Sequence, residues 1–350
     1  MRFDRGGSRF RVAATDRGIP GELMTLLSRR QVAAGLGGGL VLAGCSSLPA
    51  APKGPPPKLY YLGQAKVFAM DPETGSVTTL VDQSPTDGAR PSGVNDGIAV
   101  HTSTGQIFWT NMGRASERDG YIMRCERDGS GVVTIIPPGG TFTPKQLKID
   151  ETHGKLYWSD REGMAVQRCN LDGSHVETIV VTGSPVTDKG DETRWCVGIA
   201  VDPVRGHVYW SQKGGDNAGQ GVIRRVDMIA PSGSSPTNRR DMVTLFSRLP
   251  EPIDLDLDLT SRTLYWTDRG DNTVSRAPLD PPAGFNPATR LDRQVLVRGL
   301  KEAIGVALDL PHGRLAYTSL GGEVGVAALD GAGARLLATG GAMLTGICWA

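Results

Sequence analysis

PKQLKIDETHGKLYWSDREGMAVQRCNLDGSHVETIVV, residues 144–181, alternates apolar and polar residues in short runs, with Gly, Asp and Asn between the runs. That pattern predicts short antiparallel strands joined by tight turns. About four such runs fit into about 40 residues, the size of one four-stranded blade. A single sheet of this length cannot cover its own apolar faces, so it must stack on neighbours.

The neighbours are visible once the chain is aligned on the Tyr-Trp step. Full copies are IFWTN (107–111), LYWSD (156–160), VYWSQ (208–212) and LYWTD (264–268); LAYTS (315–319) and LYYLG (59–63) are weaker. Successive copies lie roughly 50 residues apart, a blade-like period. Each full copy follows an inner-strand phrase such as DGIAVH (96–101), QLKID (146–150), VGIAVD (197–202), IDLDLD (253–258) or IGVALD (304–309). The first copy lacks that phrase, which appears instead at the end of the chain as TGICWA (345–350). The expectation is an all-β, six-bladed β-propeller, closed by the C-terminal strand pairing with residues 59–62. Closure of this kind leaves only short, protected edges.

Phrases such as LYWTDRGDNTVSRAPLD (264–280) and LYWSDREGMAVQRCNLDG (156–173) resemble the YWTD repeat of low-density-lipoprotein-receptor class B propellers. The resemblance spans residues 59–350 and extends to the TolB-like and gluconolactonase-like six-bladed superfamily. One such scaffold hosts many activities.

Composition agrees with this reading. The chain of 350 residues is 39% hydrophobic with a formal net charge of +1, so it can bury a large core and offers nucleic acid no global charge. Its 47 Gly and 23 Pro fit a turn-rich β chain. Three segments are expected: residues 1–45, an unstructured start and an export signal; residues 46–58, a Pro-rich tether; and the propeller, 59–350. The signal begins at Met24, and Arg29-Arg30 precede a modest apolar run, as in a twin-arginine signal. That run is too short to span a membrane. It ends in Leu42-Ala43-Gly44-Cys45, which resembles a bacterial lipobox and implies lipidation at Cys45, with the protein held at the cell envelope, outer membrane or periplasmic face. The remaining cysteines (Cys125, Cys169, Cys196 and Cys348) form no CxxC or CxxH pattern, and buried free thiols are expected.

Most repeated residues have structural work in such a fold. The aromatic step packs between blades. Asp150, Asp202, Asp258 and Asp309 precede turns, where Asx-type hydrogen bonds form. Arg124, Arg168, Arg224 and Arg276 are read as one register serving an inter-blade charge network. Function is sought where regularity breaks: residues 83–95, 111–120, 182–195 and 213–221, which fall on one face. Ligand-binding candidates there are Asn95, Asp96, Lys145, Arg194, Trp195 and Asp254. Asp254 and Gln146 replace the glycine found at the matching inner-strand position elsewhere, so the Asp254 carboxylate is expected in the axial channel, paired with Lys145, Arg194 or a metal ion.

Two functions compete. One is a monomeric envelope module that binds a protein, peptide or glycan, with no cofactor. The other is a gluconolactonase-like hydrolase, for which the resemblance implies an axial Ca²⁺ or other divalent ion held by Asp96, Glu251, Asp254 and Glu302. No nucleophile elbow, phosphate loop or convergent histidine spacing is present.

Overall fold

The computed structural model describes residues 57–86, 93–339 and 342–350. The expected export signal, Cys45 and most of the tether lie outside the described residues. Within them the alternating runs form six antiparallel sheets of four strands each. Numbered round the ring, blade I holds Leu344–Trp349, Leu59–Gly63, Lys66–Met70 and Val77–Asp82. Blade II holds Asn95–Val100, Ile107–Asn111, Gly120–Cys125 and Val133–Thr141. Blades III and IV start at the inner strands Pro144–Asp150 and Cys196–Asp202, and blades V and VI at Pro252–Asp258 and Ala303–Asp309. The last strand closes the ring as expected: Leu59 pairs with Trp349, Tyr60 with Cys348 and Tyr61 with Ile347.

Neighbouring residues of a strand point to opposite faces, and the Tyr-Trp step uses both. The first ring of one blade packs with the second ring of the next. Tyr60 meets Trp109, Phe108 meets Trp158, Tyr157 meets Trp210, and Tyr209 meets Trp266, each pair within one buried cluster. Tyr265 with Tyr317, and Ala316 with Tyr61, complete the circle. All four tryptophans of the step are fully buried.

The hydroxyl that follows each ring pair builds a second, polar belt. Thr110 accepts from the Gly97 amide (2.8 Å) and donates to the Lys145 carbonyl of blade III (2.7 Å). Ser159 donates to Gly198 O, Ser211 to Ile253 O, Thr267 to Ile304 O and Thr318 to Thr345 O, each in the following blade. Blade I has Leu62 at this position, and the inner-strand Thr345 instead donates to Asn95 O at 2.7 Å. These bridges draw adjacent inner strands together. A Cβ at Gly198 would lie 2.0 Å from the Ile253 carbonyl, which explains glycine there.

Four expectations need correction. In blade IV the residue opposite the first ring is Arg225, paired with Tyr209, whereas Arg224 faces Trp210 on the other side of the sheet. The equivalent arginines Arg168 and Arg276 do reach the next blade, but they donate to the carbonyls of Met228 (3.2 Å) and Leu329 (2.9 Å) and do not form a charge network. Asx bonds form at Asp150, Asp202 and Asp258, while Asp309 accepts from His312 and Arg314 side chains. The cysteines outside residues 1–56 are free; Cys125, Cys169 and Cys196 are buried, but Cys348 is only half-buried.

Candidate functional site

The fourth and fifth residues of the aromatic step set up the face on which the long loops lie. Asp160 accepts hydrogen bonds from Thr141 Oγ1, from the Phe142 and Thr143 amides ahead of its inner strand, and from the Gly163 amide beyond it. Asp268 likewise gathers the amides of Glu251, Gly270 and Asp271. Each aspartate therefore fixes the residue that follows it, Arg161 in blade III and Arg269 in blade V, at the axial opening. In blade IV Gln212, which donates to the Thr193 carbonyl at 2.6 Å, takes the aspartate's place and is followed by Lys213; Met112 and Leu320 hold the same position in blades II and VI.

The result is a cup of about 190 Å³ around the axis. Lys145, Arg161, Lys213 and Arg269 line it together with one carboxylate, Asp96, while Met112, Leu320 and Met343 cover the other side. Its floor is an apolar plug of Val197, Ile253 and Ile304, against which Leu320 packs. Carboxylates stand behind the cations. Lys213 Nζ lies 2.7 Å from Glu192, 3.0 Å from Asp216 and 3.2 Å from Glu251. Arg269 lies 3.3 Å from Asp216 and 3.4 Å from Glu251. Lys145 pairs with Asp96, and Arg161 with Glu162. Burial depresses the Lys145 pKa; Asp96 opposes that, and the adjacent Arg161 adds to it. Burial also acts on Lys213, but its carboxylate partners win and hold its pKa above the ordinary value.

A second pocket of about 220 Å³ adjoins the cup. Phe142, Met164, Pro185 and Trp195 supply its apolar walls, and Glu162 borders it. The 182–195 loop that forms its outer side ends in a short 3-10 turn, Glu192–Arg194, capped by Asp191. Trp195 is half-buried, with the Arg161 guanidinium 4.8 Å and the Lys213 ammonium 5.5 Å from its ring centroid.

The expected site residues divide. Asp96 and Lys145 line the cup, and Trp195 stands at its edge. Asn95 is buried and accepts from Asn111 Nδ2 within blade II. Arg194 turns outward to Asp191 and to the Thr182 carbonyl. Asp254 enters the channel, but beneath the plug, because its inner strand passes Ile253 first. Its carboxylate accepts from the Leu255 amide and, in blade VI, from the Val306 amide at 3.1 Å. The expected cation is also corrected. Neither Lys145 nor Arg194 faces Asp254; Lys148 of blade III does, across the channel, and it lies 3.6 Å from Asp256. Burial pushes Asp254 up to about 7, against the opposing field of Lys148.

This arrangement does not suit a divalent ion. Glu251 is held by Lys213 and Arg269, Asp96 by Lys145, and Asp254 lies below the plug. The Glu302 side chain is about half exposed at the rim, 4.0 Å from Arg269. Among the described residues no three His, Cys, Asp or Glu side chains converge as a metal-ligand group.

The cations after the aromatic step went unread in the sequence, although they are periodic: LYWSD-R, VYWSQ-K and LYWTD-R. Only the ring geometry shows that this position meets its counterparts at the axis.

No family model matches the chain. It is 43% identical over 277 residues to the "Low-density lipoprotein receptor-related protein 1" of Pyricularia oryzae, covering 76% of this chain and 85% of that protein. It is 39% identical over 246 residues to the "3-hydroxyacyl-CoA dehydrogenase-like protein LAM1" of Cochliobolus heterostrophus, covering 67% of this chain but only 52%, about half, of that relative. Among solved structures, a chain of the nidogen/laminin complex superposes with a TM-score of 0.61 at 20% identity, covering 84% of this chain and 98% of that one. That last likeness is one of fold alone.

Proposed function

Because the chain belongs to the family of the fungal low-density lipoprotein receptor-related protein 1, we propose that it is a protein-binding propeller that receives its partner on the long-loop face. One observation carries the reading. Elsewhere in the repeat, the aromatic, hydroxyl and aspartate positions are used up in holding blades together. The position after them instead presents Arg161, Lys213 and Arg269 from three consecutive blades to a single opening. Unequal loops raised around a rigid ring are where binding surfaces arise. The hydrolase alternative gains nothing from this geometry, since Asp96 and Glu251 are engaged by cations, Asp254 lies beneath the plug and Glu302 stands apart at the exposed rim.

Photo-crosslinking tests the proposal. A benzophenone side chain is placed at Glu117 or Thr187 on the long-loop face, or at Val204 or Ile229 on the opposite face; all four positions are exposed. The expected result is one protein partner crosslinked from the first pair only, and reproduced with the purified partner. Crosslinks confined to Val204 and Ile229 contradict the assignment.

A further inference from the structure

We infer that the axial cup and the Trp195 pocket act together, taking an extended stretch of a partner protein that carries an acidic side chain close to an aromatic one. This rests on the long-loop face being the binding face.

Size comes first. Cavities of about 190 and 220 Å³ fall below the usual range for small-molecule sites, roughly 300–1,000 Å³, and suit single side chains. The two are neighbours, separated by a ridge of Arg161 and Glu162. Arg161 lines the cup, and Glu162 borders the Trp195 pocket. One short peptide stretch can therefore reach both.

Charge selects the first side chain. Four cations line the cup against one carboxylate, with the remaining carboxylates in a second rank. The cations crowd each other, since Arg161 contributes to the depression of the Lys145 pKa. An incoming carboxylate relieves that repulsion, whereas an incoming ammonium adds to it. The apolar walls of the second pocket select the neighbouring side chain. Phe142, Met164, Pro185 and Trp195 offer ring and thioether surface to an aromatic group.

The test uses the full chain and capped, fluorescently labelled peptides in which Asp and Phe are separated by zero to three glycines. Binding is read by anisotropy. At least one spacing is expected to bind, and replacing its Asp by Asn or its Phe by Ala weakens binding about tenfold or more. Arg161→Gln and Trp195→Ala are expected to do the same with little change in thermal midpoint. Added salt weakens the Asp peptide more than its Asn counterpart. Absence of binding at every spacing, or binding indifferent to the Asp or the Phe, overturns the inference. If the peptides fail while crosslinks still map to Glu117 and Thr187, the binding face stands and only its ligand chemistry falls.

Discussion

Asp254 shows how a single side chain can be read correctly in part. Its departure from the glycine of Gly198 and Gly305 placed a carboxylate in the channel, where it is. What could not be read was its depth, because the plug of Val197, Ile253 and Ile304 comes from three blades far apart in sequence. Lys148 was passed over for the same reason, since its contact with Asp256 exists only across the closed ring. The hydroxyls of the aromatic step were equally plain as letters, but their acceptors lie in the next blade. A pH dependence follows from Asp254. Burial raises its pKa from 3.8 to about 7, so the native state holds this proton more tightly than the unfolded chain does. Its contribution to stability is fully present below about 3.8 and is lost as pH rises through about 7. The stability of Asp254→Asn relative to the parent is therefore expected to rise between pH 4 and pH 8 in denaturant melts. A flat or falling difference contradicts the buried, ionisable assignment. Lys148, Asp256 and Cys348 face the same chamber.

Strands and blades were the most readable level. Period-2 alternation and the recurring aromatic step located the inner strands and their partners, and ring packing between blades appeared as expected. The misreading of Arg224 was a slip of one residue, which in a strand moves a side chain to the other face. The loops were visible only as interruptions. Nothing in 182–195 reveals that it folds back to make a pocket wall, because that depends on Phe142 and Met164 of the same blade. Two tryptophans distinguish the roles. Trp210 is fully buried between blades III and IV, so Trp210→Ala is expected to cost about 3–5 kcal/mol. Trp195 is half-buried beside two cations, so Trp195→Ala is expected to cost clearly less while weakening peptide binding about tenfold or more. Equal destabilisation by the two substitutions places Trp195 in the core and removes it from the binding site.

For the whole molecule, closure explains why one face can be irregular. The circle of ring contacts and the belt of hydroxyl bridges return to blade I through Ala316, Thr318 and Thr345, leaving no open inner edge. With the ring secured in this way, the long loops need not contribute to it and are free to shape a surface. Three cations at one repeat position, in three consecutive blades, are the mark of that freedom. The central claim is that this surface, and not the short-turn face, meets the partner. Hydrogen–deuterium exchange of the full chain, alone and with the crosslinked partner, tests it most directly. Slowed exchange is expected in 111–120, 182–195 and 213–221, with 203–206 and 229–240 unchanged. Protection of 203–206 and 229–240, with the long loops exchanging as in the free protein, contradicts it.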